Sequence, residues 1–122
     1  PQEAWPRLSP LVCALPLDQA LNLNTAPAAL WRLLDAGIGP EQAARLARDR
    51  GGAADASLAE VQAALQREGI RSADLAGCAV ASRYFLVEGR ALADGIPLRF
   101  RSVLQRDAQQ VRVIARARGG HG

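Results

Sequence analysis

The apolar pattern of this chain changes period once, near residue 78, and that change limits the fold more than any other feature. Up to Gly77 the apolar residues recur at helical spacing, and beyond it they alternate. Helices before the switch and strands after it predict an α+β protein, with a small helical bundle of the helix-hairpin-helix or SAM-like kind followed by a three-stranded antiparallel sheet. A length of 122 residues fits one domain, or two small ones sharing a core. The expected boundaries are a helical domain over 1–78, strands over 79–118 and a flexible tail over 119–122.

Within the first part, Thr25 stands where an N-cap belongs, with Pro27 in the first turn. Leu30, Trp31, Leu33 and Leu34 form an apolar stripe that stops at Gly37. A second helix is expected to open at Pro40, to present Ala43, Ala44, Leu46 and Ala47, and to run out before Gly51-Gly52. Ser57-Leu58-Ala59-Glu60 is a capping box, Ser at the N-cap and Glu at N3. The helix it starts carries Leu58, Val61, Ala64 and Leu65 and ends at Gly69. Ser72 to Ala76 is expected to add a short turn. Helices this brief are unstable alone and must pack on each other.

In the second part, a strand is expected within Val80 to Leu92, centred on Tyr84, Phe85 and Val87. Asp94-Gly95 signals a turn, and Ile96-Pro97 opens the next strand. There Leu98, Phe100, Ser102 and Leu104 share one face against Arg99 and Arg101. In a third strand Val111, Val113 and Ala115 oppose Arg112, Ile114 and Arg116. The alternation predicts an antiparallel meander with one packed face and one arginine-rich, solvated face. The packed face needs a cover, from the helices or from protein outside this fragment.

Composition excludes several functions. With 49% apolar and 22% charged residues the chain is globular. Its net charge is +3 and its pI 9.7, but all fifteen basic residues are Arg, a bias that fits genome composition as well as a phosphate-binding surface. No run of about 20 apolar residues is present. The chain opens on Pro1 without an initiating Met or signal-peptide pattern, and reads as a piece of a longer protein. The one histidine, His121, sits in a glycine tail that holds no catalytic geometry. No nucleophile–base set, metal cluster or phosphate loop is present, so no catalysis, cofactor or metal is expected. Cys13 and Cys78 fit neither a redox CxxC pair nor a zinc site, which leaves two free thiols or a disulfide, according to compartment.

Gly37-Ile38-Gly39-Pro40 lets the backbone turn tightly between two helices. In a DNA-binding hairpin the N–H groups at the start of the second helix meet a phosphate, aided by the helix dipole. Gly37, Gly39 and Arg45 are the candidate phosphate contacts, with Arg48 and Arg50 nearby. The same residues also serve simply to turn and solvate a helical pair.

Leu21 to Arg50 resembles the helix-hairpin-helix segment of DNA-uptake proteins of the ComEA type. It is equally similar to the helical domain of general secretion pathway protein K (GspK), a minor pseudopilin of the type II secretion system. The markers of the second family run through most of the chain, over about residues 11 to 118. They are Leu15-Pro16, the run Asn22, Leu23, Asn24, Thr25, Ala26, Pro27, the helix end at Arg50, the strand Ser82-Arg83-Tyr84-Phe85, and Ser102 to Arg106 before a final strand. A lone hairpin module stops near residue 55 and leaves the strands unexplained.

The pseudopilin resemblance implies a structural role. It implies a pilin-type sheet with an inserted helical domain, in the periplasm, anchored by an N-terminal inner-membrane helix absent from this fragment. Its implied partners are the I and J minor pseudopilins at the pseudopilus tip, with contact to secreted substrate or the outer-membrane channel, and no nucleic acid. Calcium is implied by the resemblance only, without ligands that can be placed. A periplasmic location favours a Cys13–Cys78 disulfide, worth on the order of 4 kcal/mol in the chain-entropy model.

Overall fold

The computed structural model describes residues 3–16 and 18–119, and its chain separates into two units, Pro1–Ala81 and Ser82–Gly122. The last three residues of the expected tail, His121 among them, lie outside the described residues.

The helical unit contains α1 (Trp5–Leu8), β1 (Leu21–Asn22), α2 (Ala28–Trp31), α3 (Pro40–Gly52), α4 (Leu58–Arg67) and β2 (Cys78–Ala79). Its core is one cluster in which Leu23, Trp31, Ala43, Val61 and Leu65 have no exposed surface. Trp31 anchors it, because its ring is buried while Nε1 still donates to the Ala26 carbonyl at 3.3 Å.

Helix α2 is shorter than the apolar stripe suggests. Pro27, in extended conformation, is its N-cap, and Thr25 instead turns back on Asn22, N–H and hydroxyl both meeting the Asn22 carbonyl. After Trp31 the chain continues in i→i−3 turns, Leu33 to Leu30 and Leu34 to Trp31. The tighter rotation buries Leu34 but turns Leu33 outward, 76% exposed.

Helix α3 starts at Pro40 as expected but runs through Gly51 and Gly52, closed by the Ala53 N–H on the Asp49 carbonyl at 2.9 Å. Ala43 and Leu46 are buried, whereas Ala44 faces solvent. Helix α4 follows the cap signals closely. Ser57 Oγ accepts the Glu60 N–H at 3.4 Å, and Glu60 Oε2 accepts from Ala56 N–H, one residue earlier than a standard box. At its other end Gly69 has φ +81, the Gly69 N–H bonds to Gln66 and the Ile70 N–H to Leu65. That is a Schellman termination, sealed by the buried Ile70 and Leu65 side chains. Ser72 to Leu75 form no turn; the turn falls at Ala76–Gly77.

Strands β1 and β2 pair in parallel, Leu21 with Cys78 and Asn22 with Ala79. This two-residue pairing is invisible to periodicity, and it carries Cys78 and Ala79 into the helical unit. The division between units therefore falls after Ala81, not after residue 78.

The sheet unit is an antiparallel meander of β3 (Tyr84–Ala93), β4 (Ile96–Arg106) and β5 (Val111–Gly119), in the order β3-β4-β5. Gly119 ends the last strand and is not part of a tail. Asp94 and Gly95 both take positive φ, 51 and 77, the two-residue turn whose twist suits a hairpin. Opposed residues share a face. Phe85, Leu104 and Val113 form one row, Val87, Ser102 and Arg116 the next, and Gly89, Phe100 and Arg118 a third. Phe100 lies across Gly89, where an added Cβ would meet its ring at 3.7 Å.

The arginines are not confined to the opposite face. A register shift at Val103/Leu104 leaves Ile114 as an extra residue in β5. Beyond it the alternation is inverted, so Ala115 joins Leu86 and Val103 on the opposite face, while Arg116 and Arg118 join Phe100. Nor is the apolar face packed. No described residue of the sheet unit is buried, and Phe85, Val87, Ile96 and Val113 are all exposed. The unit has no second layer of its own.

Candidate functional site

The Asn22–Pro27 run carries a network of hydrogen bonds. Asn22 Oδ1 accepts the Asn24 N–H at 3.0 Å and holds the loop in a tight Asx turn. Asn24 then reaches two distant segments. Its Nδ2 donates to the carbonyls of Asp55, at 2.9 Å, and Val80, at 2.8 Å, while its Oδ1 accepts the Asp55 N–H at 2.9 Å. One amide thus ties the entry to α2, the loop before α4 and the end of β2. Next to it, Arg50 is buried at the end of α3, with Nε 2.7 Å from Asp55 Oδ2. Neither atom has an aligned hydrogen bond, so this is a charge contact.

The hairpin donors are occupied by the protein itself. The Gly37 N–H donates to Asp35 Oδ1 at 2.6 Å, and the Gly39 N–H donates to Gln42 Oε1 at 2.9 Å. Asp35 also accepts from Ser72 Oγ at 2.6 Å. The Ser72 hydroxyl, then the Gly37 amide, hold its carboxyl below the usual range. Arg45 points to α4, not into the hairpin. Its guanidinium forks onto Glu68 at 2.8 and 3.2 Å, and that hydrogen-bonded pair lowers the Glu68 pKa. The three candidate phosphate contacts are therefore each engaged, Gly37 with its own loop, Gly39 with the first turn of α3 and Arg45 with the end of α4.

Charge divides along the same line as the fold. The helical unit has seven arginines against nine acidic residues, net −2, and the sheet unit eight against three, net +5. The basic character of the chain belongs to the sheet. There Glu88 pairs with Arg101 directly opposite, at 3.0 Å, and Gln105 accepts from Arg112. Arg106 lies 5.2 Å from the centre of the Phe85 ring and donates to the Ser82 carbonyl at 3.1 Å. The marker residues Ser82 and Phe85 are thus joined through one arginine, while Tyr84 stands half-buried on the other face.

Both thiols are free; Cys13 is exposed and Cys78 half-buried, so the Cys13–Cys78 bridge is not formed. Desolvation, then the Asp74 charge, pushes the Cys78 thiol up. Among the described residues no three His, Cys, Asp or Glu side chains cluster, and no helix is long and apolar enough to cross a membrane.

These features define an α+β protein whose conspicuous residues are scaffold in the helical unit and open surface in the sheet unit. No model of a known protein family matches the chain, and no curated protein matches it by sequence.

Proposed function

We propose that this chain is a structural component of an assembly, the C-terminal part of a minor pseudopilin of the GspK kind, acting at the tip of a periplasmic pseudopilus. The observation that carries this reading is the exposed sheet. Three long strands with an apolar face and no buried residue are built to be completed by other protein segments, as a pilin-type sheet is. The self-satisfied hairpin and the net negative helical unit weigh against the DNA-uptake reading, since a phosphate would have to displace Asp35 and Gln42 from the Gly37 and Gly39 amides.

The partners under this reading are the I and J minor pseudopilins. Co-purification with those two components, alongside a DNA shift assay at 50 and 200 mM salt, tests it. Retention of the pseudopilins with no DNA shift is the expected result. Micromolar DNA binding that falls steeply with salt, without retained pseudopilins, points to the hairpin module instead.

A further inference from the structure

The β3–β4 hairpin ends in an apolar tip with a belt of arginines behind it. Among residues 91–98 only Asp94 is charged. Leu92 is 77% exposed and Ile96 55%. Leu92 lies opposite Pro97 on one face, while Ala91 with Leu98 and Ala93 with Ile96 occupy the other, so the tip is apolar on both faces. Directly behind it Arg90 and Arg99 oppose each other, a like-charge pair that weakens a sheet unless an anion bridges it. Arg118 stands opposite Phe100 on the other face, one residue further back. In the next row of the Arg90 face, Glu88 is engaged by Arg101 at 3.0 Å. Among the described residues no acidic group pairs with Arg90, Arg99 or Arg118. A groove of about 440 Å³ joins belt to tip, lined by Arg90, Ala91, Leu92, Pro97, Leu98 and Arg99.

We propose that this hairpin end docks on an anionic lipid surface, with Leu92, Ile96, Pro97 and Leu98 seated among the headgroups and Arg90, Arg99 and Arg118 on lipid phosphates. From the Arg90/Arg99 row to the Ala93/Ile96 row the ribbon rises about 10 Å, close to the roughly 5–10 Å to which interfacial elements enter a bilayer. The outward backbone groups of edge strand β3 and the Asp94 charge at the turn need water, which keeps the tip in the headgroup layer. A protein segment laid over the apolar face of the sheet covers Ile96 and Leu98. It leaves Leu92, Pro97 and the Arg90/Arg99 pair, which lie on the opposite face. A surface met end-on touches both faces at once, and the apolar residues and arginines are distributed over both. Charge complementarity selects an anionic membrane, at which each arginine contributes about fivefold in affinity. The inference does not depend on the pseudopilin reading.

Co-sedimentation of the whole chain with vesicles tests it, using phosphatidylcholine alone or with about 30% phosphatidylglycerol at low salt. The anionic vesicles are expected to bind about tenfold tighter or more, with a gap that narrows as salt rises. Arg90→Gln/Arg99→Gln should weaken that binding about 25-fold. Arg90→Lys/Arg99→Lys should keep most of it, since attraction to a charged surface needs no guanidinium fork. Leu92→Ser/Ile96→Ser changes two exposed residues outside any core and should weaken binding about tenfold. Asp94→Asn, which suits the positive φ of the turn, should tighten it about fivefold. In bicelles carrying a nitroxide lipid, amide broadening should centre on residues 91–98. Inorganic phosphate at constant ionic strength should displace nothing. Equal affinity for the two vesicles, binding to neither, broadening centred elsewhere, or full affinity in Leu92→Ser/Ile96→Ser each overturns the proposal. So does a lysine variant as weak as the glutamine one, or displacement by inorganic phosphate, since either marks a shaped phosphate site instead.

Discussion

Asn24 and Asp55 exchange two hydrogen bonds, Asn24 Nδ2 to the Asp55 carbonyl and the Asp55 N–H to Asn24 Oδ1, both at 2.9 Å. A side-chain amide here does what a strand neighbour does, donor and acceptor both matched. Asn24→Asp keeps the shape but removes the donor, leaving the Asp55 and Val80 carbonyls facing a carboxylate. The expected loss is about 2–3 kcal/mol in urea unfolding followed by fluorescence of the buried Trp31. A loss below about 0.5 kcal/mol would mean that the clamp is ornamental.

The Arg50–Asp55 contact is buried on both sides, with side chains 6% and 11% exposed. Arg50→Met strands the Asp55 charge and is expected to cost about 3–5 kcal/mol. Arg50→Met/Asp55→Leu should recover much of that loss. A double variant as unstable as the single one would show that the arginine acts by packing alone.

Asp35 has its pKa lowered by the Ser72 hydroxyl and the Gly37 amide, so its folded value lies below its unfolded one. Its contribution is fully present above the unfolded value, near pH 4, and disappears as pH falls through the folded value. Ser72→Ala should raise the Asp35 pKa towards the ordinary range in a carboxyl NMR titration, while Glu68, held by Arg45, stays low. An unmoved Asp35 would assign the shift to the Gly37 amide instead.

Gly39 is the N-cap of α3, with φ −77 and ψ 168, and it has no side chain to accept the Gln42 N–H. An added Cβ meets nothing closer than Gln42 Oε1, at 3.6 Å. Gly39→Ser therefore completes the capping box and should stabilise by about 0.3 kcal/mol, read in chemical denaturation. In a hairpin that needs glycine for close approach to phosphate, the same substitution would weaken DNA binding.

Cys13 and Cys78 should both titrate with a disulfide reagent under denaturing, non-reducing conditions. In the native protein at pH 8 the exposed Cys13 should react first, because burial raises the Cys78 thiol and shields it. A native chain with no titratable thiol would restore the Cys13–Cys78 bridge that the pseudopilin resemblance implies.

Local chemistry was legible in the residues themselves. The Ser57 cap, the Gly69 stop, the Pro40 start and the Asp94–Gly95 turn each depend on neighbours a few positions away, so the sequence alone determined them. It also determined the α+β order and the alternation of β4, through a period that each strand imposes on its own residues. Only the tertiary structure decided the rest, because those features are set by partners far off in the chain. The Asn24 amide found Asp55 and Val80, 31 and 56 residues on, and Leu21 found Cys78. One unpaired residue, Ile114, inverted the faces of half a strand and moved two arginines onto the apolar side. And Gly37 and Gly39, which by sequence can cradle a phosphate, proved to have acceptors already, since a hydrogen-bond donor's availability depends on which side chains fold back onto it.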